Sequence, residues 1–234
     1  MQKVIKYTIF KTRWGYFGLA GTEFAILRTH LPDPEPEKIK HELLKNLSFV
    51  NRDSRIEHQE SRIEFDKTFF KTTQEQITAY FEGSYVNFSH DIPITLDDCT
   101  SICHSRTFCH SRESLSSTPI GGGNPQTITA GKCNSNLKLD KLSPFAIQVL
   151  TACRDIKFGQ TISYSGLAKK LGRPGTARAV GGALAKNPLP LIIPCHRVIH
   201  SDGKIGGFST PGGTNLKAKL LELEQQVIRN RKSD

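Results

Sequence analysis

The sequence predicts an α+β domain, an antiparallel sheet with helices, followed by a mostly helical domain with a helix-turn-helix outline. Three observations predict it. Apolar residues alternate with period two near the start, they recur at helical spacing on both sides of a central stretch, and that stretch, about residues 99–140, has no period at all.

Val4-Ile5-Lys6-Tyr7-Thr8-Ile9-Phe10, Gly15-Tyr16-Phe17-Gly18-Leu19-Ala20 and Phe24-Ala25-Ile26-Leu27 read as three short strands, and Arg13-Trp14-Gly15 and Gly21-Thr22 as the turns of a meander. Leu31-Pro32-Asp33-Pro34 ends it. Ile39, Leu43, Leu44 and Leu47 mark a helix over Glu35 to Leu47, and Ile77, Tyr80 and Phe81 mark another over Thr73 to Phe81.

Residues 1–98 thus form a supporting α+β domain, 99–140 an insertion or linker rich in Ser, Thr, Gly and Cys, and 141–234 a second domain. So little apolar surface between 99 and 140 does not offset the entropy of ordering it. Its Cys99-x3-Cys103-His104-x4-Cys109-His110 cluster lacks the paired C-x2-4-C of a standard zinc site, so the expectation is no metal.

Ser143-Pro144, an N-cap followed by proline at the first helical position, starts a helix that runs through Ile156. Cys153 on it reads as a small buried hydrophobe. Phe158 to Tyr164 is a turn. Two short helices follow, Ser165 to Leu171 and Gly175 to Lys186, joined by Gly172-Arg173-Pro174. The second carries Ala177, Ala179, Gly181, Gly182, Ala183 and Ala185, and adjacent glycines cost a helix about 1 kcal/mol each relative to alanine. Either a neighbouring element packs closely there, or the helix is thin enough to enter a narrow nucleic-acid groove with Arg178 projecting from it.

Charge divides the chain in the same place. Of 234 residues, 32 are Lys or Arg and 22 are Asp or Glu, a net charge of +10, and +9 of it belongs to residues 140–234. A basic second half beside a neutral first half suits a phosphate-bearing partner. Mean hydropathy is −0.37, and no run approaches the roughly 18–20 apolar residues that span a bilayer, which excludes a membrane-spanning helical protein. Lys3 and Lys6 interrupt what would be the apolar part of a secretory signal, so the expected location is the cytoplasm, or the nucleus in a eukaryote, with its six cysteines reduced.

Leu189 to Ile193 reads as a buried apolar strand that delivers Pro194-Cys195-His196-Arg197 to a glycine-rich stretch containing Gly203, Gly206, Gly207, Gly212 and Gly213. A cysteine beside a histidine at the mouth of a pocket has the makings of an exposed thiolate nucleophile with its base, provided a third group orients that base. On an extended strand the two side chains point to opposite faces, so the base reaches sulfur through a bend or a bridging water.

Taken together these residues resemble the O6-alkylguanine-DNA alkyltransferases, or methylated-DNA–protein-cysteine methyltransferases. The resemblance is carried by Phe158-Gly159-Gln160-Thr161-Ile162-Ser163-Tyr164, Ala177-Arg178-Ala179-Val180-Gly181-Gly182-Ala183, Asn187-Pro188-Leu189-Pro190 and Ile193-Pro194-Cys195-His196-Arg197-Val198. It covers about Ser143 to Gln225 strongly and residues 1–98 weakly. It implies a ribonuclease-H-like first domain and a winged-helix-like second domain. It also implies repair without a cofactor: transfer of an alkyl group from O6-alkylguanine, and from O4-alkylthymine, in flipped-out DNA to Cys195, once per molecule. The implied partner is the minor groove of double-stranded DNA, bound by a monomer.

Residue by residue, the resemblance implies that Cys195 accepts the alkyl group and His196 takes its proton. Glu224 then orients His196, with Glu222 as the alternative because the alignment crosses a two-residue length difference near Thr210-Pro211. Asn187 ties the recognition segment to the active-site segment, and Tyr164 donates to the flipped base. Arg178 fills the gap in the stack, with Ala177, Gly181, Thr161 and Ser163 at the DNA. Val198, Phe208, Ser209, Pro190 and Leu184 line the base pocket. Some relatives hold zinc in the first domain, but residues 1–98 contain no cysteine. The competing classes are a damage sensor, a helix-turn-helix regulator that uses Cys195 as a switch, and a Cys-His hydrolase. Cys195 disfavours the first, the lack of a regulatory domain the second, and the thin helix bearing Arg178 the third.

Overall fold

In a computed structural model, which describes residues 4–45, 47–49, 62–88, 92–96, 137–138 and 142–233, the period-two stretch folds as expected into a meander. Strand β1 (Val4–Thr12) pairs antiparallel with β2 (Gly15–Gly21), from Lys6 opposite Gly21 to Thr12 opposite Gly15. The turn closes on Gly15, whose φ of +128° suits glycine and where a Cβ would lie 2.9 Å from the Asp33 carbonyl oxygen. Strand β3 (Ile26–Asp33) pairs antiparallel with β2 and runs through Pro32, beyond the end the sequence suggests. It is the outer strand of the sheet, where a proline is tolerated.

Helix α1 (Pro36–Leu44) is shorter than expected, and a two-residue strand, β4 (Ser48–Phe49), follows it. Strand β5 (Arg62–Phe65), which sequence reasoning missed, adds parallel to β1 and completes the order β3-β2-β1-β5. Ile5, Ala20 and Leu27 pack with Leu43 of α1 and with Leu47 in a small core. Helix α2 (Lys71–Phe81) packs with Phe17, Leu19 and Ile26.

That second core does not stop at the first domain. It continues from Ile77, Tyr80 and Phe81 into Val149, Leu150 and Cys153 of α3 (Pro144–Arg154), and on to Cys195 and Leu220. The halves are also joined where β6 (Leu137–Lys138) pairs antiparallel with β4 in a separate two-stranded ribbon, so the end of the presumed linker is tied to the segment that follows α1. The Cys99, Cys103, Cys109 and Cys133 positions lie outside the described residues.

Ser143 caps α3 as expected, its Oγ accepting from the Ala146 N–H. Strand β7 (Ile162–Ser163), helix α4 (Tyr164–Lys170) and helix α5 (Ala177–Leu184) follow. Helix α5 begins two residues later than the sequence suggests, because Gly175 has φ +85° and Thr176 is the N-cap. Strand β8 (Val198–Ile199) pairs parallel with β7, and a last described helix, α6 (Gly213–Ser233), follows. Among the described residues no helix is long and apolar enough to cross a membrane.

Candidate active site

The apolar run 189–193 reads as a strand, yet it turns on itself. A lone bridge joins Pro190 to Ile193, and Leu191 has φ +79°. Prolines 188, 190 and 194 have no N–H to give a ladder, which is why so apolar a run does not pair as a strand. Cys195–Arg197 then forms one 3-10 turn, so Cys195 and His196 do not occupy opposite faces of an extended segment.

Asn187 spans this turn. Its Nδ2 donates to the Ile193 carbonyl at 2.9 Å and to Cys195 Sγ at 3.1 Å, while its Oδ1 accepts from the Leu189 N–H at 3.0 Å. The expectation of an exposed thiolate is corrected here. Cys195 is 7% exposed. Burial pushes its thiol up, against the opposing pull of the Asn187 bond, the Lys217 charge and the backbone at Cys195 and His196. The resting group is a neutral thiol, and its proton needs an acceptor when an electrophile arrives.

His196 is fully buried. Its Nε2 lies 2.9 Å from Glu224 Oε1, so the network assigns the proton to Nε2 and leaves a lone pair on Nδ1. Nδ1 is buried without a hydrogen-bond partner among the described residues. Burial lowers the basicity of the ring, with Glu224 acting against it, so the imidazole is neutral and able to take a proton.

Of the two glutamates, Glu222 is exposed and bonded to Gln226, whereas Glu224 is buried at His196. Sequence reasoning missed the rest of its shell. Arg197 Nε donates to both carboxylate oxygens at 3.1 Å and Arg197 Nη2 to Oε1 at 2.9 Å; the Tyr80 hydroxyl donates to Oε1 at 2.8 Å and the Gly159 N–H to Oε2 at 2.8 Å. Burial alone would raise the carboxyl, but His196 and Arg197 outweigh it and hold it at about 2. Gly159 has φ +71°, and a Cβ there would lie 1.9 Å from Ile228 Cδ1, so only glycine brings this N–H against α6.

Half-buried Tyr164 has its phenol pushed up by burial and then by electrostatic coupling to Cys195. Lys217, buried on α6 and also missed, donates through Nζ to the Val198 carbonyl at 2.6 Å and to the Tyr164 hydroxyl at 3.4 Å. Gly206 makes room for the phenol, since a Cβ there would lie 2.4 Å from its oxygen. Leu184, Pro190 and Val198 are buried, Phe208 is half-buried and Ser209 is exposed.

Arg178, Ala179, Gly182, Ala185 and Lys186 form the exposed side of the α5 segment, with Ala177 and Gly181 half-buried. A Cβ on Gly182 would meet nothing within 4 Å, and one on Gly181 would make ordinary contact with the Tyr164 ring at 3.7 Å. Internal packing therefore does not explain Gly182, whereas Ala183 is buried in the core. Thr161 is exposed, while Ser163 is occupied as the α4 N-cap, its Oγ accepting from the Gly166 N–H at 2.9 Å.

Residues 144–226 match the family described as 6-O-methylguanine DNA methyltransferase, DNA binding domain. A methylated-DNA–protein-cysteine methyltransferase of Methanosarcina barkeri is 31% identical over 186 residues, 80% of this chain and 87% of that protein. The chain belongs to the methylated-DNA–protein-cysteine methyltransferase family. The mouse member is 55% identical over 69 residues, 30% of this chain but only 32% of its own length. In structure the chain is similar to Mycobacterium tuberculosis OGT solved in complex with DNA, at 25% identity and a TM-score of 0.57, covering 95% of this chain and 94% of that one. Tyr164, Arg178, Asn187, Cys195, His196, Lys217 and Glu224 all fall within the stretch that matches the methyltransferase family; Tyr80 does not.

Proposed function

We propose that the protein repairs DNA by moving the alkyl group of O6-alkylguanine, and by the same chemistry of O4-alkylthymine, onto Cys195. One observation carries the reading: a thiol held by Asn187 lies next to a neutral histidine on a buried carboxylate, in the same domain as a helix whose Gly182 faces open space beside the exposed Arg178.

An O6-alkyl carbon is out of reach inside a duplex, so the nucleotide is extruded, at a cost of a few kcal/mol. The α5 face enters the minor groove, its small residues allow close approach, and Arg178 fills the gap left in the stack. Ala177, Gly181 and Thr161 border that contact; Ser163 acts through its cap of α4. The extruded base enters between Tyr164 and the wall formed by Leu184, Pro190, Val198, Phe208 and Ser209.

The Cys195 proton passes to His196 Nδ1 through a bridging water, and Glu224 stabilises the resulting imidazolium. The sulfur then attacks the alkyl carbon in line. One S–C bond forms and one C–O bond breaks, and the electron pair of that bond goes to the purine. Tyr164 donates its proton to the base so that it departs neutral, and the Lys217 ammonium faces the phenolate so formed.

The product is a thioether without a bond that water cleaves, so each chain acts once and no cofactor takes part. The reading places this chemistry in the cytoplasm or nucleus and in a monomer. Radiolabelled methyl transfer from an O6-methylguanine duplex should saturate at one per chain. Cys195→Ala should abolish transfer and retain DNA binding. Continued turnover beyond one methyl per chain would refute the reading.

A further inference from the structure

The first domain grips the active-site turn through the backbone carbonyls of Pro188 and of Pro190, the latter in the proposed pocket wall. Thr29, on β3 and 5% exposed, makes two hydrogen bonds across the domain boundary. Its N–H donates to the Pro188 carbonyl at 3.0 Å, and its Oγ1 donates to the Pro190 carbonyl at 2.8 Å.

These carbonyls flank Leu189, whose N–H donates to Asn187 Oδ1, and Asn187 in turn donates to Cys195 Sγ. The path from the sheet to the sulfur is thus continuous: Thr29, the 188–190 backbone, the Asn187 amide, the thiol. With prolines at 188 and 190 the turn has few N–H groups of its own, so its carbonyls are the available points of attachment. Leu191, next in the chain, is held at φ +79°, a conformation that persists in a non-glycine residue only where its surroundings over-determine it.

We infer that the Thr29 hydroxyl is a positioning group for alkyl transfer: by fixing the Pro190 carbonyl it sets the Asn187 amide against Cys195 Sγ. The inference rests on the alkyl-transfer reading and gives the first domain a part in that reaction. Thr29 does not touch the thiol, and it meets the proposed pocket wall only through the Pro190 backbone carbonyl, so its influence falls on the rate of the bound complex and not on affinity for undamaged DNA.

The test compares full-length wild type, Thr29→Val and Thr29→Ser in single-turnover methyl transfer from an O6-methylguanine duplex, separating the saturated rate from the half-saturating concentration. Valine keeps the shape and the backbone bond and removes only the hydroxyl. The saturated rate of Thr29→Val should fall about tenfold, as for one buried carbonyl left without its donor, with half-saturation within about twofold. Thr29→Ser should return to within about threefold of wild type on the same scale. Adding Thr29→Val to Asn187→Ala should slow that variant by less than about twofold, because both act on one path.

Equal saturated rates for wild type and Thr29→Val overturn the inference. So do parallel losses of rate and DNA affinity, a serine variant as slow as valine, additive effects with Asn187→Ala, or a fall in unfolding midpoint large enough to empty the folded state. Wild type is its own control: failure of wild type to transfer refutes the alkyl-transfer reading, whereas wild-type transfer with an unimpaired valine variant refutes the role of Thr29 alone.

Discussion

Tyr80 and Glu224 come from opposite halves of the chain, and the Tyr80 hydroxyl donates to Glu224 Oε1 at 2.8 Å, on the same oxygen that faces His196 Nε2. The carboxylate therefore collects donors from α2, from the 3-10 turn and from the Gly159 turn, and it ties together the two halves of the chain. Its pKa of about 2, against an ordinary 4.5, links this cluster to acid stability. A depressed carboxyl contributes stability that is complete above the ordinary value and is lost as pH falls towards the folded one. Wild type should lose this part of its stability between about pH 4.5 and about pH 2. Denaturant titrations should show Glu224→Gln less stable by about 3–5 kcal/mol at neutral pH, the loss expected when one side of a buried ion pair is removed, with a flatter acid limb. An unchanged acid limb would remove Glu224 as its source.

Burial sets the direction of the thiol and its neighbours moderate it. Burial pushes Cys195 up, and the Asn187 amide and then the Lys217 charge oppose it. Asn187→Ala and Lys217→Met should each drive the thiol further up. Ultraviolet absorbance of the thiolate against pH reads this directly, with Cys195→Ala as the blank that removes the remaining cysteines. Transfer should slow at neutral pH in both variants and recover in part as pH rises. A titration identical to wild type in either variant contradicts the geometry at Sγ.

Gly182 separates an external partner from internal packing. A Cβ there meets open space, so Gly182→Ala should fold at least as well as wild type and gain up to about 1 kcal/mol from helix propensity. If α5 enters a groove, the added methyl stands between the helix and DNA, and affinity for duplex should fall several-fold. A more stable protein with undiminished DNA affinity would place the contact elsewhere.

Gly206 tests the seating of Tyr164. A Cβ at this position would lie 2.4 Å from the phenol oxygen and 2.8 Å from its Cε2, so Gly206→Ala must move the ring. Transfer to Cys195 should drop at least about tenfold if the phenol protonates the leaving purine, since general acids contribute about 10²–10⁴-fold. Binding of undamaged DNA should change little. Wild-type transfer rates in Gly206→Ala would exclude Tyr164 as the donor.

The legible parts of this molecule were those written in local patterns. Val4 to Phe10 is legible because it is rich in β-branched and aromatic residues that pack on both faces of β1, Ile5 and Tyr7 in one core and Phe10 in the other, and Ser143-Pro144 announces α3 because capping is a matter of neighbouring residues. Strand β5 escaped because Ile63 and Phe65, its apolar members, are exposed on an edge strand and give no core signal. The run 189–193 was misleading because burial and strand pairing are separable, and prolines separate them here. Glu222 and Glu224 stand about 200° apart around α6, so only the position of His196 distinguishes them. Tyr80 and Thr29 meet partners 144 and 161 residues away, and no local period encodes such a contact.

The most direct test of the account is to locate the methyl group. Wild type and Cys195→Ala are incubated with excess O6-methylguanine duplex, and intact mass is followed by peptide mapping of all six cysteines. The account predicts one added methyl per wild-type chain, on Cys195, with none on Cys153 and none on Cys195→Ala. A methyl on any other residue, or repair of the duplex with wild type left unmodified, would contradict it.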